Sequence, residues 1–207
     1  MQHHPKSWAR IYPQDWLNPI DFQSVFGNDH PVAIDLGSGK GRFLLAHAAA
    51  DPDTNFLGIE RMLSRVRKVS RKIERSDLRN TRLLRMEGYY AMTYLVPPRS
   101  VSTLYVFFPD PWPKKRHHDH RVFSPRFLDS LHRSLAPAGI IHAATDHLPY
   151  FHEMEELLRA DDRFEQVPPF IPTEEEQTDF ERYYVQHKQI GRISVQKKPE
   201  PPTEDTP

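Results

Sequence analysis

The chemistry of this chain concentrates in residues 107–118, FFPDPWPKKRHH, where an apolar run meets three alternating prolines, one carboxylate, a tryptophan and a cluster of cations. Pro109, Pro111 and Pro113 each fix their own φ. Each also disfavours the helical region for the residue before it, which predicts extended backbone at Phe108, Asp110 and Trp112. A stiff loop of this kind holds Asp110 in place while Lys114, Lys115 and Arg116 follow within a few residues. A fixed anion beside cations suits a substrate that carries both hydrogen-bond donors and phosphates. The competing reading is a proline-stiffened turn followed by a solvated charge run.

A second group of residues surrounds the glycines of DLGSGKG, at positions 37, 39 and 41. These glycines allow tight turning and close approach of backbone to a ligand. The spacing is neither the GxGxxG of dinucleotide sites nor the GxxxxGK[ST] phosphate loop, because Lys40 is followed by Gly41. Asp35 stands two positions before Gly37, and Glu60 closes the next apolar run, TNFLGIE. An acid before the glycine turn and a second acid after the following strand suit S-adenosylmethionine. In that arrangement Asp35 lies near the methionine end, Glu60 accepts from the ribose hydroxyls and Glu87 lies by the adenine amine. Taken alone, the glycine loop fits any strand-to-helix turn, structural or nucleotide-binding.

The elements that must position these groups alternate. Strands are predicted at residues 32–37, 54–60, 81–86, 102–108 and 139–146. Helices are predicted over 42–50, from 62 through 73, at 125–135 and at 149–159. In the second helix Met62, Val66, Val69 and Ile73 recur at helical spacing, so Arg65, Lys68, Arg71, Lys72 and Arg75 fall on the other faces. Alternation of this kind indicates an α/β fold, a doubly wound, mostly parallel sheet with helices on both faces. Ligands of such sheets bind beyond the carboxyl ends of the strands, where Asp35, Glu60, Glu87, Asp110 and Asp146 all fall. Residues 167–172 read as a loop, and the weak alternation of 183–195 predicts a late strand at the sheet edge. Thr173 to Glu176 and Thr178 to Glu181 both have capping-box spacing. In a functional reading, the Thr178 hydroxyl and Glu181 carboxylate would accept from the donor edge of a guanine.

Composition sets bounds. At 207 residues and 38% hydrophobic the chain can bury one core. We divide it into an arm (1–30), a catalytic domain (31–196) and a proline-rich tail (197–207) expected to be disordered. The 28 basic and 28 acidic residues balance, which argues against a uniformly basic nucleic-acid binder but not against basic patches. There is no cysteine, which excludes disulfides and thiolate metal sites, and the twelve histidines show no metal-binding spacing. No metal, no membrane span and a cytoplasmic location are the expectations.

FFPDPWPKKRHH, DLGSGKG, FLGIE, ATDHLPY and TDFE, in this order, closely resemble the tRNA (guanine-N7)-methyltransferase family. The resemblance runs from Pro31 to Val195 and implies a class I methyltransferase (Rossmann-like) fold. It also implies transfer of the methyl group of S-adenosyl-L-methionine to N7 of guanosine 46 in the tRNA variable loop. By resemblance, Asp35, Gly37, Gly39, Glu60, Glu87 and Asp110 match cofactor-site positions, and Asp110 is also the catalytic residue. Lys114, Asp146, Thr178, Asp179, Phe180 and Glu181 match substrate-contacting positions, and Lys115, Arg116, His117, His118 and Arg121 the RNA-contacting loop. Two departures stand out. Glu87-Gly88 replaces the family's usual aspartate or asparagine followed by alanine, and Asp119 and His120 interrupt the basic loop. The alternatives are a small-molecule methyltransferase and a tRNA-binding protein without catalysis. Monomer and homodimer both stay open.

Overall fold

In a computed structural model of the chain, the described residues are 7–13, 15–112, 116, 121–184 and 188–199. They form a mixed eight-stranded sheet. Its strands are β1 (Arg10–Ile11), β2 (Val32–Leu36), β3 (Asn55–Ile59), β4 (Thr81–Leu84), β5 (Val101–Phe107), β6 (Leu135–Thr145), β7 (Phe164–Val167) and β8 (Gly191–Lys197). Their order is β1-β4-β3-β2-β5-β6-β8-β7. The first six in that order are parallel; β8 runs antiparallel to both β6 and β7.

The two strands that lead to the first carboxylates, VAIDL with Asp35 and NFLGI just before Glu60, are buried at every position. Burial on both faces is what a central parallel strand requires, and it makes such strands read as continuous apolar runs. Successive side chains still point to opposite faces. Ile34, Leu57 and Leu104 join one core cluster, with α1 (Phe22–Phe26), α5 (Pro125–Ser134) and α6 (Leu148–Ala160). Ala33, Phe56 and Tyr105 join the other, with α2 (Arg42–Ala50) and α3 (Leu63–Arg75). Gly58 makes the close approach of α2 feasible, since a Cβ there would stand 2.6 Å from a methyl carbon of Leu44 and 2.7 Å from one of Leu83.

The five predicted strands and four predicted helices are present with boundaries shifted by a few residues. Helix α5 starts where Ser124 caps the Phe127 amide and Pro125 occupies the first turn. Met62 is half exposed at the N-cap of α3 rather than inward, and burial begins with Val66.

The edge of the sheet differs from expectation. β8 lies inside it, between β6 and β7, and the short FEQV segment forms the edge instead. On the other edge the arm contributes β1, parallel to β4. It is anchored by Trp8, over whose ring the guanidinium carbons of Arg79 and Arg82 lie at 4.4 and 5.3 Å. Among the described residues no helix is long and apolar enough to cross a membrane.

Candidate active site

The site grows from the carboxyl ends of β2 and β3. After Leu36 the chain turns back, and the amides of Gly37 and Ser38 both donate to the Ile59 carbonyl, at 2.8 and 3.1 Å. Gly37, Gly39 and Gly41 have φ of 88°, 55° and 76°, a region that favours glycine. A Cβ on Gly37 would meet nothing within 4 Å, so this turn borders open space.

Glu60 organises the turn from the neighbouring strand. Its buried carboxylate accepts from the Gly39 amide at 3.1 Å, the Met62 amide at 2.8 Å and Arg65 at 3.2 Å. Asp35 is equally buried yet accepts no hydrogen bond from any described residue. Burial, and then the charge of Glu60, push its carboxyl up to about 7. Nearby in sequence, Ser38 Oγ is also buried without a partner among the described residues. A carboxylate without a donor and an unpaired hydroxyl, beside open space and a glycine turn, fit the cationic ammonium and the hydroxyls of S-adenosylmethionine.

Glu87 is already employed. It is the N-cap of α4 (Gly88–Tyr90) and accepts from the amides of Tyr89 and Tyr90, both at 3.0 Å. Its neighbour Gly88 lies close against Leu36, where a Cβ would sit 3.0 Å from a methyl carbon. Helix α4 continues directly into a π-helical segment, Ala91–Leu95.

Beyond β5 the proline loop departs from the sequence expectation. Phe108 and Trp112 have φ of 52° and 43°, left-handed rather than extended. The pre-proline clash excludes the right-handed helical region but does not choose among what is left. Phe108 still donates its amide to Ala144 of β6 at 2.7 Å, so the chain must reverse while remaining tied to the sheet. Left-handed backbone at two bulky residues costs energy, and such conformations cluster at functional sites. Asp110 stands between them, largely exposed, with Arg61 at 3.7 Å.

Arg121 is a correction. Expected to contact RNA, it is buried instead. Its guanidinium donates to the carbonyls of Pro111 and Trp112 at 2.8 and 3.4 Å, pairs with Glu153 and lies 4.7 Å from the centre of the Tyr150 ring. It pins the proline loop to α6. Of the remaining predicted loop residues, Arg116 is exposed, and Lys114, Lys115, His117 and His118 lie outside the described residues.

The segment after β7 supplies the other wall. Thr178 caps α7 (Asp179–Tyr184) by accepting from the Glu181 amide at 3.0 Å. The Glu181 side chain does not close a capping box; it is buried and pairs with Arg192 of β8. Only the 173–176 box shows the reciprocal arm, with the Thr173 amide donating to Glu176 at 2.8 Å. Asp146, at the end of β6, pairs with Lys188 at 2.8 Å. Phe180 packs against Phe108 with ring centres 5.1 Å apart, which joins this segment to the Asp110 loop. Asp179 opens the same helix.

Sequence reasoning missed the partners: Arg61, Arg65, Lys188 and Arg192. It also missed the contacts that tie residues 173–177 to α2, namely Arg42 donating to the Glu174 carbonyl at 3.4 Å and His47 facing Glu176 at 3.5 Å. No local pattern announces such pairs, because they depend on which strand lies beside which. Among the described residues no cluster of acids and histidines could hold a metal ion.

With this geometry in place, comparison with known proteins is informative. A family model described as "Putative methyltransferase" matches residues 29–193. A tRNA (guanine-N(7)-)-methyltransferase of Halorhodospira halophila is 40% identical over 170 residues, covering 79% of this chain and 73% of that protein. A protein of the same name from Streptomyces coelicolor is 37% identical over 155 residues, and this chain spans 57% of its length. Among solved structures, the 16S rRNA methyltransferase KamB superposes with a TM-score of 0.63 at 16% identity, covering 86% of this chain and 93% of that one. The antibiotic-resistance methyltransferase Kmr gives 0.59 at 20%, covering 86% and 92%. These two similarities establish the class I methyltransferase fold alone. Together with the motif order and the site at the carboxyl ends of β2, β3 and β5, the sequence matches place the chain in the tRNA (guanine-N7)-methyltransferase family.

Proposed function

We propose that this protein methylates tRNA at N7 of guanosine 46 in the variable loop, with S-adenosyl-L-methionine as methyl donor. The observation that carries the reading is the buried, donor-free Asp35 carboxylate beside a glycine turn that Glu60 braces, with Asp110 held in a strained loop at the end of the adjacent strand. When bound, the donor supplies a methyl group on a cationic sulfur.

The chain's residues do the rest. Asp35 offers a charged acceptor to the ammonium of the methionine end, and the Gly37–Gly39 backbone allows close approach. Glu60 has one acceptor position fewer than a free carboxylate at each donor it already holds, so Arg65 must yield if both ribose hydroxyls are to be bound. Guanine N7 carries a lone pair that is unprotonated at neutral pH, so no general base is required. Acceleration then comes from alignment and electrostatics. Asp110, between two left-handed residues, is the carboxylate positioned to favour positive charge as it moves onto the purine. Thr178 and Glu181 form the acceptor pair for the guanine donor edge, with Arg192 orienting Glu181.

Phosphates would be met by the outer face of α3, where Lys68, Arg71, Lys72 and Arg75 line a shallow depression with Glu74. None of the site carboxylates lines it, so its role is electrostatic. The test is incubation with labelled S-adenosylmethionine and a tRNA transcript, with the modified nucleotide mapped by mass spectrometry. A transcript with adenosine in place of guanosine 46 should remain unlabelled. Labelling at another position would refute the position, and turnover of a small heteroaromatic without RNA would favour the small-molecule reading.

A further inference from the structure

Phe108, Phe180 and Tyr184 form a ladder of rings that leads away from the Asp110 loop. Phe108 and Phe180 have ring centres 5.1 Å apart, and Phe180 and Tyr184 are stacked at 5.4 Å with their planes 28° apart. Exposure increases along the ladder: Phe180 is 39% exposed and Tyr184 64%. Tyr183, also 64% exposed, has no ring partner among the described residues. Two adjacent exposed tyrosines and a half-exposed phenylalanine on one six-residue helix are not explained by the core, which takes only Glu181 from that helix.

The inner end of the ladder is fixed by the sheet. Phe108 is held by the hydrogen bond that its backbone amide donates to the Ala144 carbonyl, and it immediately precedes Pro109 and Asp110. The outer end is fixed by Thr178, which caps α7, and by the Glu181–Arg192 pair beneath it. Two cations of this segment are held by carboxylates: Arg182, on the same helix, lies 3.7 Å from Glu174, and Lys188, after the helix, lies 2.8 Å from Asp146.

We propose that the Phe180–Tyr184 face is a stacking platform for one unpaired nucleotide adjacent to the methylated guanosine, with Tyr184 as the ring that receives the base. The proposal rests on the RNA reading above. Recognition of single-stranded RNA commonly uses bases splayed from their stack and laid on aromatic side chains. A base can extend a row of stacked rings without any sequence-specific hydrogen bond, because every base has a π-face. Continuity with the Asp110 loop favours this occupant. A nucleotide beside the target must follow the chain out of the site, and the ladder leaves the site in series with Phe108.

The experiment compares the full chain with Tyr184→Ala, Tyr184→Leu and Tyr184→Phe on an unmodified tRNA transcript, measuring affinity by filter binding and methylation in single turnover. Thermal melting should be unchanged, since Tyr184 is mostly exposed. Tyr184→Ala and Tyr184→Leu should each bind roughly tenfold more weakly, and Tyr184→Phe should bind as wild type. Transcripts with an abasic site on either side of guanosine 46 give the second arm. One of them should lose a similar factor with wild type and little more with Tyr184→Ala. Wild-type affinity in Tyr184→Leu would overturn the proposal by reducing the ring to apolar surface. Additive losses for the variant and both abasic transcripts would overturn it too. A change in sedimentation with unchanged RNA binding would overturn it in favour of contact between copies. A wild-type chain that neither binds nor methylates the intact transcript would overturn the RNA reading itself, and the platform with it.

Discussion

Replacing Asp35 by asparagine should stabilise the ligand-free protein while abolishing the pH dependence of cofactor binding. In the folded chain burial and the charge of Glu60 raise this carboxyl from 3.8 to about 7. A group that holds its proton more tightly when folded contributes stability below its unfolded value, and that contribution is lost as pH rises through its folded value. The loss therefore develops between about pH 4 and pH 7 and is complete at pH 8. At about 1.4 kcal/mol per pH unit, the interval from 3.8 to about 7 amounts to about 4 kcal/mol. Asparagine removes the charge but leaves its own amide unpaired, which costs about 1–3 kcal/mol. The net gain at pH 8 is then about 1–3 kcal/mol, or roughly 5 °C in melting temperature for a chain of this size.

Thermal melting of both proteins at pH 8 and pH 5 measures this. The variant should melt higher at pH 8. The advantage should shrink or reverse at pH 5, where wild-type Asp35 is already protonated. In calorimetry, wild-type affinity for S-adenosylmethionine should fall as pH drops below about 7, with proton release on binding, because an ammonium prefers the ionised carboxylate. The variant should bind more weakly at pH 8 and show neither effect. A variant that melts lower than wild type at pH 8, or by the same difference at both pH values, would refute the account of Asp35 as a destabilising charge kept for a ligand.

Glu60→Gln should lower the apparent titration point of Asp35, because it removes the second cause of that shift, and should weaken cofactor affinity by roughly 2 kcal/mol; carboxyl NMR and calorimetry test both. Arg121→Leu should lower stability by about 3 kcal/mol, since the Pro111 and Trp112 carbonyls lose their donor. Unchanged melting with a flatter salt dependence of RNA binding would instead restore Arg121 as an RNA contact. Lys68→Gln combined with Arg71→Gln should reduce the slope of log affinity for tRNA against log salt by about 1–2, and an unaltered slope would make the outer face of α3 a solvated surface only. Asp110→Asn should lower the single-turnover rate by roughly 10- to 100-fold with little change in tRNA affinity. The wild-type rate should be nearly flat from pH 7 to pH 9, whereas a rate climbing tenfold per pH unit there would point to a general base.

What could be read from the sequence follows the distinction between local and non-local constraint. VAIDL and NFLGI are legible as strands because burial on both faces fixes residue type at every position, and Asp35 near the end of the first and Glu60 just after the second are legible because strand ends are locally marked. The weak alternation of 183–195 points to an edge strand, whereas β8 forms over GRISVQK inside the sheet, and nothing within its seven residues records that FEQV will pair outside it. The proline loop shows the same limit at finer scale. Three prolines announce stiffness, but the direction of the bend is set by the amide of Phe108, tied to Ala144, and by Arg121 gathering the carbonyls of Pro111 and Trp112. A run of cations gives no sign of which one turns inward. Arg121 does so because an acceptor pair, the Tyr150 ring and Glu153 converge on it from residues up to 32 positions away. The consequence for the site is specific. Asp110 owes its position to Arg121 as much as to its flanking prolines, so a loss of that buried guanidinium should displace the loop that carries Asp110 without touching any residue that faces the substrate.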